Sequence, residues 1–148
     1  MNKGGYDNIE DVVRILEKLG QRLTPQRIIV AKIILENVKR HPSFKEIHAI
    51  ASKQLPRLGV STTYMIMKML EEAGVITTFE ANGETHIDNP HPHINIVCQN
   101  TGQIIDIEDD NLTSEVIHAI TLASSKQGIN IRKPVVIVKA HCANGKQG

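Results

Sequence analysis

Cysteine is scarce in this chain: Cys98 and Cys142 are the only two in 148 residues. Two are too few for the disulfide framework of a small secreted domain. No apolar run approaches the ~18 residues that span a bilayer, so no membrane partner is expected. The start, Met1-Asn2-Lys3-Gly4-Gly5, leads into a polar helical pattern, and no signal peptide is read there. Repeats and low-complexity tracts are also lacking. A cytoplasmic globular protein is expected, with length for one ordinary domain or two small ones.

Acidic residues are scarce in one region only. Between 21 and 68, Glu36 and Glu46 stand against nine basic residues (Arg22, Arg27, Lys32, Lys39, Arg40, Lys45, Lys53, Arg57, Lys68), a net charge of +7. From residue 81 onward five basic residues face seven acidic ones. A basic module joined to a mildly acidic one fits a polyanion-binding head on a separate body. A solvated basic surface without a partner would look the same.

Histidine is concentrated. Three of the seven fall within eight residues, His86-Ile-Asp88-Asn-Pro90-His91-Pro92-His93, with Asp88 among them. Imidazole nitrogen and carboxylate oxygen together suit a divalent first-row metal. Asn89, Pro90 and Pro92 favour a turn or extended loop. A ligand-rich loop near the midpoint suggests a joint that metal could stiffen. The plain alternative is a polar linker rich in histidine.

The periodicity predicts helices on either side of clear punctuation. Ile9, Val12, Val13, Leu16 and Leu19 recur at helical spacing and Gly20 closes that run. Thr24 then caps a second helix with Pro25 at its first position, and His41-Pro42 breaks it. Ser43 and Glu46 form a capping-box pattern for a third helix, buried through Phe44, Ile47, Ile50 and Ala51. A fourth begins at Ser61 or Thr62 and stops at Gly74. Asn82-Gly83 joins two β-branched runs as a hairpin, which completes a winged helix-turn-helix. Beyond the His/Pro loop come strands at Ile94–Cys98, Gln103–Ile107 and Val135–Ala140, with a helix near Asn111–Lys126. The expected class is α+β: a winged-helix domain over 1–84, a hinge over 85–92 and a small α/β domain over 93–148. A body of about 55 residues is marginal alone, so dimerisation is expected.

On the fourth helix Ser61, Tyr64, Met65 and Lys68 share one face, opposite Thr63, Ile66, Met67, Leu70 and Ala73. The first face can meet phosphates, base edges and thymine methyls in a major groove. Ser61, Tyr64 and Lys68 on that face are therefore candidate DNA contacts, with Thr62 beside Ser61 at the helix start, and Arg22 is a candidate for phosphate or the minor groove. Tyr64 also reads as a half-buried core tyrosine, and Lys68 as an ordinary exposed lysine.

Taken in order, several segments resemble the ferric uptake regulator family of metal-dependent transcriptional regulators. They are Gly20-Gln-Arg-Leu-Thr-Pro-Gln-Arg27, His41-Pro-Ser43, Val60 through Ile76, Asn82-Gly-Glu-Thr-His-Ile-Asp88, His93-Ile-Asn-Ile-Val-Cys98 and Gly102-Gln-Ile-Ile-Asp106. The resemblance implies a homodimer, not an enzyme, that binds palindromic double-stranded operators, usually as a repressor. It also implies one divalent regulatory metal per subunit (Fe²⁺, Mn²⁺ or Zn²⁺), with His41, Asp88, His93 and Asp106 as ligands. Tyr64 matches the family's base-contacting tyrosine and Arg22 its minor-groove residue. Aspartate at 106 resembles the peroxide-sensing subgroup.

The chain departs from the family pattern at three places. The family's last histidine is Asn95 here, a poorer ligand than imidazole. His91, two residues before His93, is one candidate to replace it, and His86, on the strand face of Asp88, is another. The family's two Cys-x-x-Cys pairs are reduced to Cys98-Gln-Asn-Thr101 and Cys142-Ala-Asn-Gly145. An all-cysteine structural zinc site is therefore expected to be absent, with Cys98 and Cys142 either small buried hydrophobes or a disulfide. Met65 stands where relatives are often polar, which bears on operator preference. Two rival readings are a winged-helix dimer indifferent to metal and a metal-dependent hydrolase using Glu84 or Glu108.

Overall fold

The structure is a computed structural model that describes residues 8–143. The N-terminal segment read for a signal peptide, and Gly145, lie outside them. The chain divides into two compact units, the first ending at His91 and the second beginning at Pro92.

The first unit is built from helices whose ends were legible. Asn8 caps α1 (Ile9–Lys18), accepting from the Glu10 N–H. Gly20, at φ +80, closes it by donating to the Glu17 carbonyl, with Gln21 donating to Leu16. Leu19, in phase with the apolar stripe, is nonetheless exposed. Thr24 accepts from the Arg27 N–H at the start of α2 (Pro25–Asn37). A 3-10 turn, Val38–Arg40, follows. Ser43 and Glu46 then form the reciprocal capping box of α3 (Phe44–Gln54).

The fourth helix differs from expectation at its start. It runs Val60–Glu72, with Gly59 at the cap and no side-chain cap bond. The Thr63 hydroxyl instead turns back onto the Gly59 carbonyl, as mid-helix threonines do. Thr62 is thus inside the first turn rather than at a boundary. Strands β1 (Thr77–Ala81) and β2 (Glu84–Asp88) form an antiparallel hairpin pairing Phe79 with His86 and Thr77 with Asp88. Asn82 and Gly83 both take positive φ, as a two-residue turn of this kind requires. Leu16, Val30, Ile34, Ile47, Ile66, Leu70 and Ile87 form one core. Because β2 extends to Asp88, the first part of the stretch read as a hinge (85–92) is strand.

The second unit is a three-stranded sheet in the order β4-β3-β5 with one helix. Strand β3 (Ile94–Cys98) pairs antiparallel with β4 (Ile104–Asp106) and parallel with β5 (Val136–Ala140). The parallel return needs a crossover, which α5 (Asp110–Ser125) supplies. Asp109 caps that helix through the Leu112 N–H. Within the unit Ile94, Val97 and Cys98 are buried. Among the described residues no helix is long and apolar enough to cross a membrane.

Candidate functional site

Two His–Asp pairs stand out, one in each unit. In the first unit the 3-10 turn ends at His41, whose backbone is left-handed at φ +52, ψ +52. For a residue with a Cβ this conformation costs roughly 1–3 kcal/mol and persists only where the surroundings impose it. His41 is buried, and its Nε2 lies 3.5 Å from Asp88 Oδ1 at the end of β2. That oxygen also accepts from the Asn89 N–H at 2.8 Å. In the second unit His93, just before β3, places Nε2 3.5 Å from Oδ1 of Asp106, the last residue of β4. The β3–β4 register sets this pair, because it brings Asp106 opposite Asn95.

The spacing within each pair fits two ligands of one ion. Two donors each about 2.0–2.2 Å from a tetrahedral metal lie about 3.4 Å apart, whereas a direct hydrogen bond would be nearer 2.8 Å. Neutral imidazole with carboxylate is the donor set that suits Mn²⁺, Fe²⁺ or Zn²⁺. His41 pairs with Asp88 and His93 with Asp106. His91 lies at the end of the first unit with its N–H on the Asn89 side chain, 2.9 Å away. His86 is buried and sets its Nδ1 2.8 Å from the His41 carbonyl oxygen.

The face expected to read nucleic acid is presented by α4. Ser61, Tyr64 and Met65 are exposed, while Thr63, Ile66, Met67 and Leu70 are buried against the core. Tyr64 keeps 51% of its surface accessible, which argues against a core tyrosine. Thr62 is half-buried and Arg22 exposed. The Arg22 carbonyl accepts from the Arg27 guanidinium at 2.6 Å, tying the loop before α2 to that helix. Lys68 donates to Glu71 Oε1 at 2.7 Å; that hydrogen bond, reinforced by the Glu71 charge, raises its pKa above the usual lysine value. Its charge is thus already partnered on the helix surface.

Sequence reasoning missed what supports Tyr64. Phe44 on α3 meets the Tyr64 ring edge-on, with centroids 5.9 Å apart, and is itself stacked by His48, one turn further along α3. His48 Nδ1 also lies 2.7 Å from the Thr63 hydroxyl. These contacts lock α3 to α4, and their only sequence signal was an aromatic residue at the start of α3. In the second unit Cys98 and Cys142 are joined as a disulfide. Asn100 clamps the same strand end: its amide donates to the Cys142 carbonyl and its oxygen accepts from the Cys142 N–H, both at 2.8 Å.

A winged helix-turn-helix is followed by a small α/β unit, and each unit carries a His–Asp pair. The model of the ferric uptake regulator family matches residues 18–133, and the chain belongs to that family. It is 32% identical over 108 residues to a ferric uptake regulation protein homolog of Archaeoglobus fulgidus, covering 72% of this chain and 83% of that one. It is 28% identical over 100 residues to the peroxide-responsive repressor PerR of Staphylococcus epidermidis, covering 66% of each. The fold is similar to that of the Helicobacter pylori ferric uptake regulator, whose structure reveals three functional metal-binding sites. The TM-score there is 0.73 at 18% identity, over 100% of this chain and 99% of that one. Members of the family are metal-responsive regulators of transcription that bind DNA as dimers, not enzymes.

Proposed function

We propose that this chain is a cytoplasmic, homodimeric repressor whose grip on a palindromic operator is set by one divalent metal per subunit. His41, Asp88, His93 and Asp106 are its ligands in this reading, with His91 a fifth donor. The observation that carries it is the pair of His–Asp couples with ligand-like 3.5 Å spacing, one per unit. Asp88 and His93 are only five residues apart, so the connecting chain permits one ion to draw on both couples. A bound ion would supply the positive charge that lets two carboxylates and two imidazoles share one point. The residues do the rest: ligands drawn from both units restrict the angle between them, and hence the spacing of the two α4 helices in a dimer. Metal then tightens DNA binding by its difference in affinity for the two states, and DNA tightens metal binding equally.

Arg22, Ser61, Thr62, Tyr64 and Lys68 are the proposed DNA contacts. The regulated genes are those of metal homeostasis or peroxide stress. Aspartate at 106 and the peroxide-responsive relatives favour the second.

The test is fluorescence anisotropy on the DNA upstream of its own gene, with Mn²⁺, with chelator, and with Fe²⁺ followed by peroxide. Mn²⁺ is expected to tighten binding by roughly 5–150-fold, an effect lost in His41→Ala. Operator affinity indifferent to chelation and to His41→Ala would overturn the metal switch and leave a metal-independent DNA-binding dimer. Loss of the Fe²⁺-dependent complex on peroxide, with oxygen added to His41 or His93, is expected for the peroxide role; an unaffected complex would remove it.

A further inference from the structure

His86 lies on the same side of β2 as Asp88, two residues on, and is buried. Its Nδ1 is 2.8 Å from the His41 carbonyl oxygen. A carbonyl only accepts, so Nδ1 carries the hydrogen and donates it. The His86 ring stacks on Phe79 (5.6 Å between centroids, 17° between planes), and Phe79 meets the His41 ring edge-on at 6.3 Å. The backbone beside this contact is also tied. Ser43 bridges His86, and the Ile87 N–H donates to the Pro42 carbonyl at 2.8 Å. The segment His41-Pro42-Ser43 is thus laid along β2. His86 is the side chain that grips the one residue of that segment with left-handed backbone.

We propose that His86 is a positioning residue for the metal response. Its Nδ1–H holds the His41 carbonyl, preserves the left-handed turn and so aims the His41 imidazole at Asp88. The proposal rests on the reading of His41 as a metal ligand. Groups that orient a ligand without binding the ion commonly change metal affinity by about 10–100-fold when removed.

The test is a calorimetric Mn²⁺ titration of the full chain, alongside urea unfolding of each metal-free variant. His86→Ala is expected to weaken Mn²⁺ binding by about 10–100-fold. His86→Asn keeps an amide N–H near the Nδ1 position and has nothing at Nε2, so it is expected to recover most of the affinity. His86→Gln places its amide near Nε2 instead and is expected to bind as weakly as His86→Ala. The Asn and Gln variants decide the matter even if His86→Ala does not fold. Equal affinities for the two would overturn the proposal, and equal losses in both would mark Nε2 as itself a ligand. Weakened binding in His41→Ala with normal binding in His86→Ala would overturn this proposal alone. Unchanged binding in His41→Ala would remove the underlying reading as well.

Discussion

In the first unit Leu16, Ile34, Ile47, Ile66 and Leu70 are each at most 1% exposed, whereas in the second Ile120, Leu122, Ile129, Val135 and Val138 are 38–54% exposed. The difference follows from architecture. Four helices and a hairpin surround a centre and close it without help. Three short strands and one helix leave apolar surface without a covering layer. Ile117, Ile120, Ile131, Pro134, Val135 and Val136 line an apolar cavity of about 220 Å³ in that unit. A patch of this kind on a small unit fits a second copy of the chain, in line with the dimers of the family. The first unit thus buries its own core, whereas the second leaves an apolar face of the kind that association covers.

Three measurements would break or sharpen that contrast. The largest effect is expected in the first core: Leu70→Ala leaves a cavity and should destabilise that unit by about 2–5 kcal/mol in urea unfolding. A loss below about 1 kcal/mol would show that its core is looser than the burial implies. Next comes the second unit's covalent tie, which spans 44 residues of chain. Reducing Cys98–Cys142 is expected to lower its stability by about 2–4 kcal/mol while the first unit unfolds as before. Equal sensitivity of both units to reductant would contradict their independence. The smallest direct effect on the fold of one subunit is expected from Ile120→Asp, within about 0.5 kcal/mol for an exposed position, apart from the stability that the second unit gains by association. That substitution should nonetheless turn dimer into monomer in sedimentation velocity. An unchanged dimer would place the interface elsewhere.

Much of the fold was legible because its signals are local. Thr24-Pro25, the Ser43/Glu46 box and Asn82-Gly83 act within four residues of themselves, so they read the same in sequence and in space. The start of α4 was less legible because Gly59 caps without a side chain, leaving no residue to announce it. Of the candidate site, the ligand types were visible in the His/Pro loop and in its flanking segments. The role of His86 was not: its partner lies 45 residues away, and strand periodicity showed only that it shares a face with Asp88. Leu19 misled for the opposite reason, since helical phase says which residues line up, but α1 ends at Lys18 and Leu19 is its exposed cap.

By itself, then, the sequence determined where most helices start and stop, which face of α4 is polar, and that imidazole and carboxylate gather near the middle of the chain. Those are consequences of backbone preference and side-chain chemistry over a few residues. Only the tertiary structure decided that His41 is left-handed and held from β2, that Tyr64 is braced by Phe44, and that Cys98 meets Cys142. Each depends on segments brought together by strand register and helix packing. No short-range preference specifies that kind of proximity.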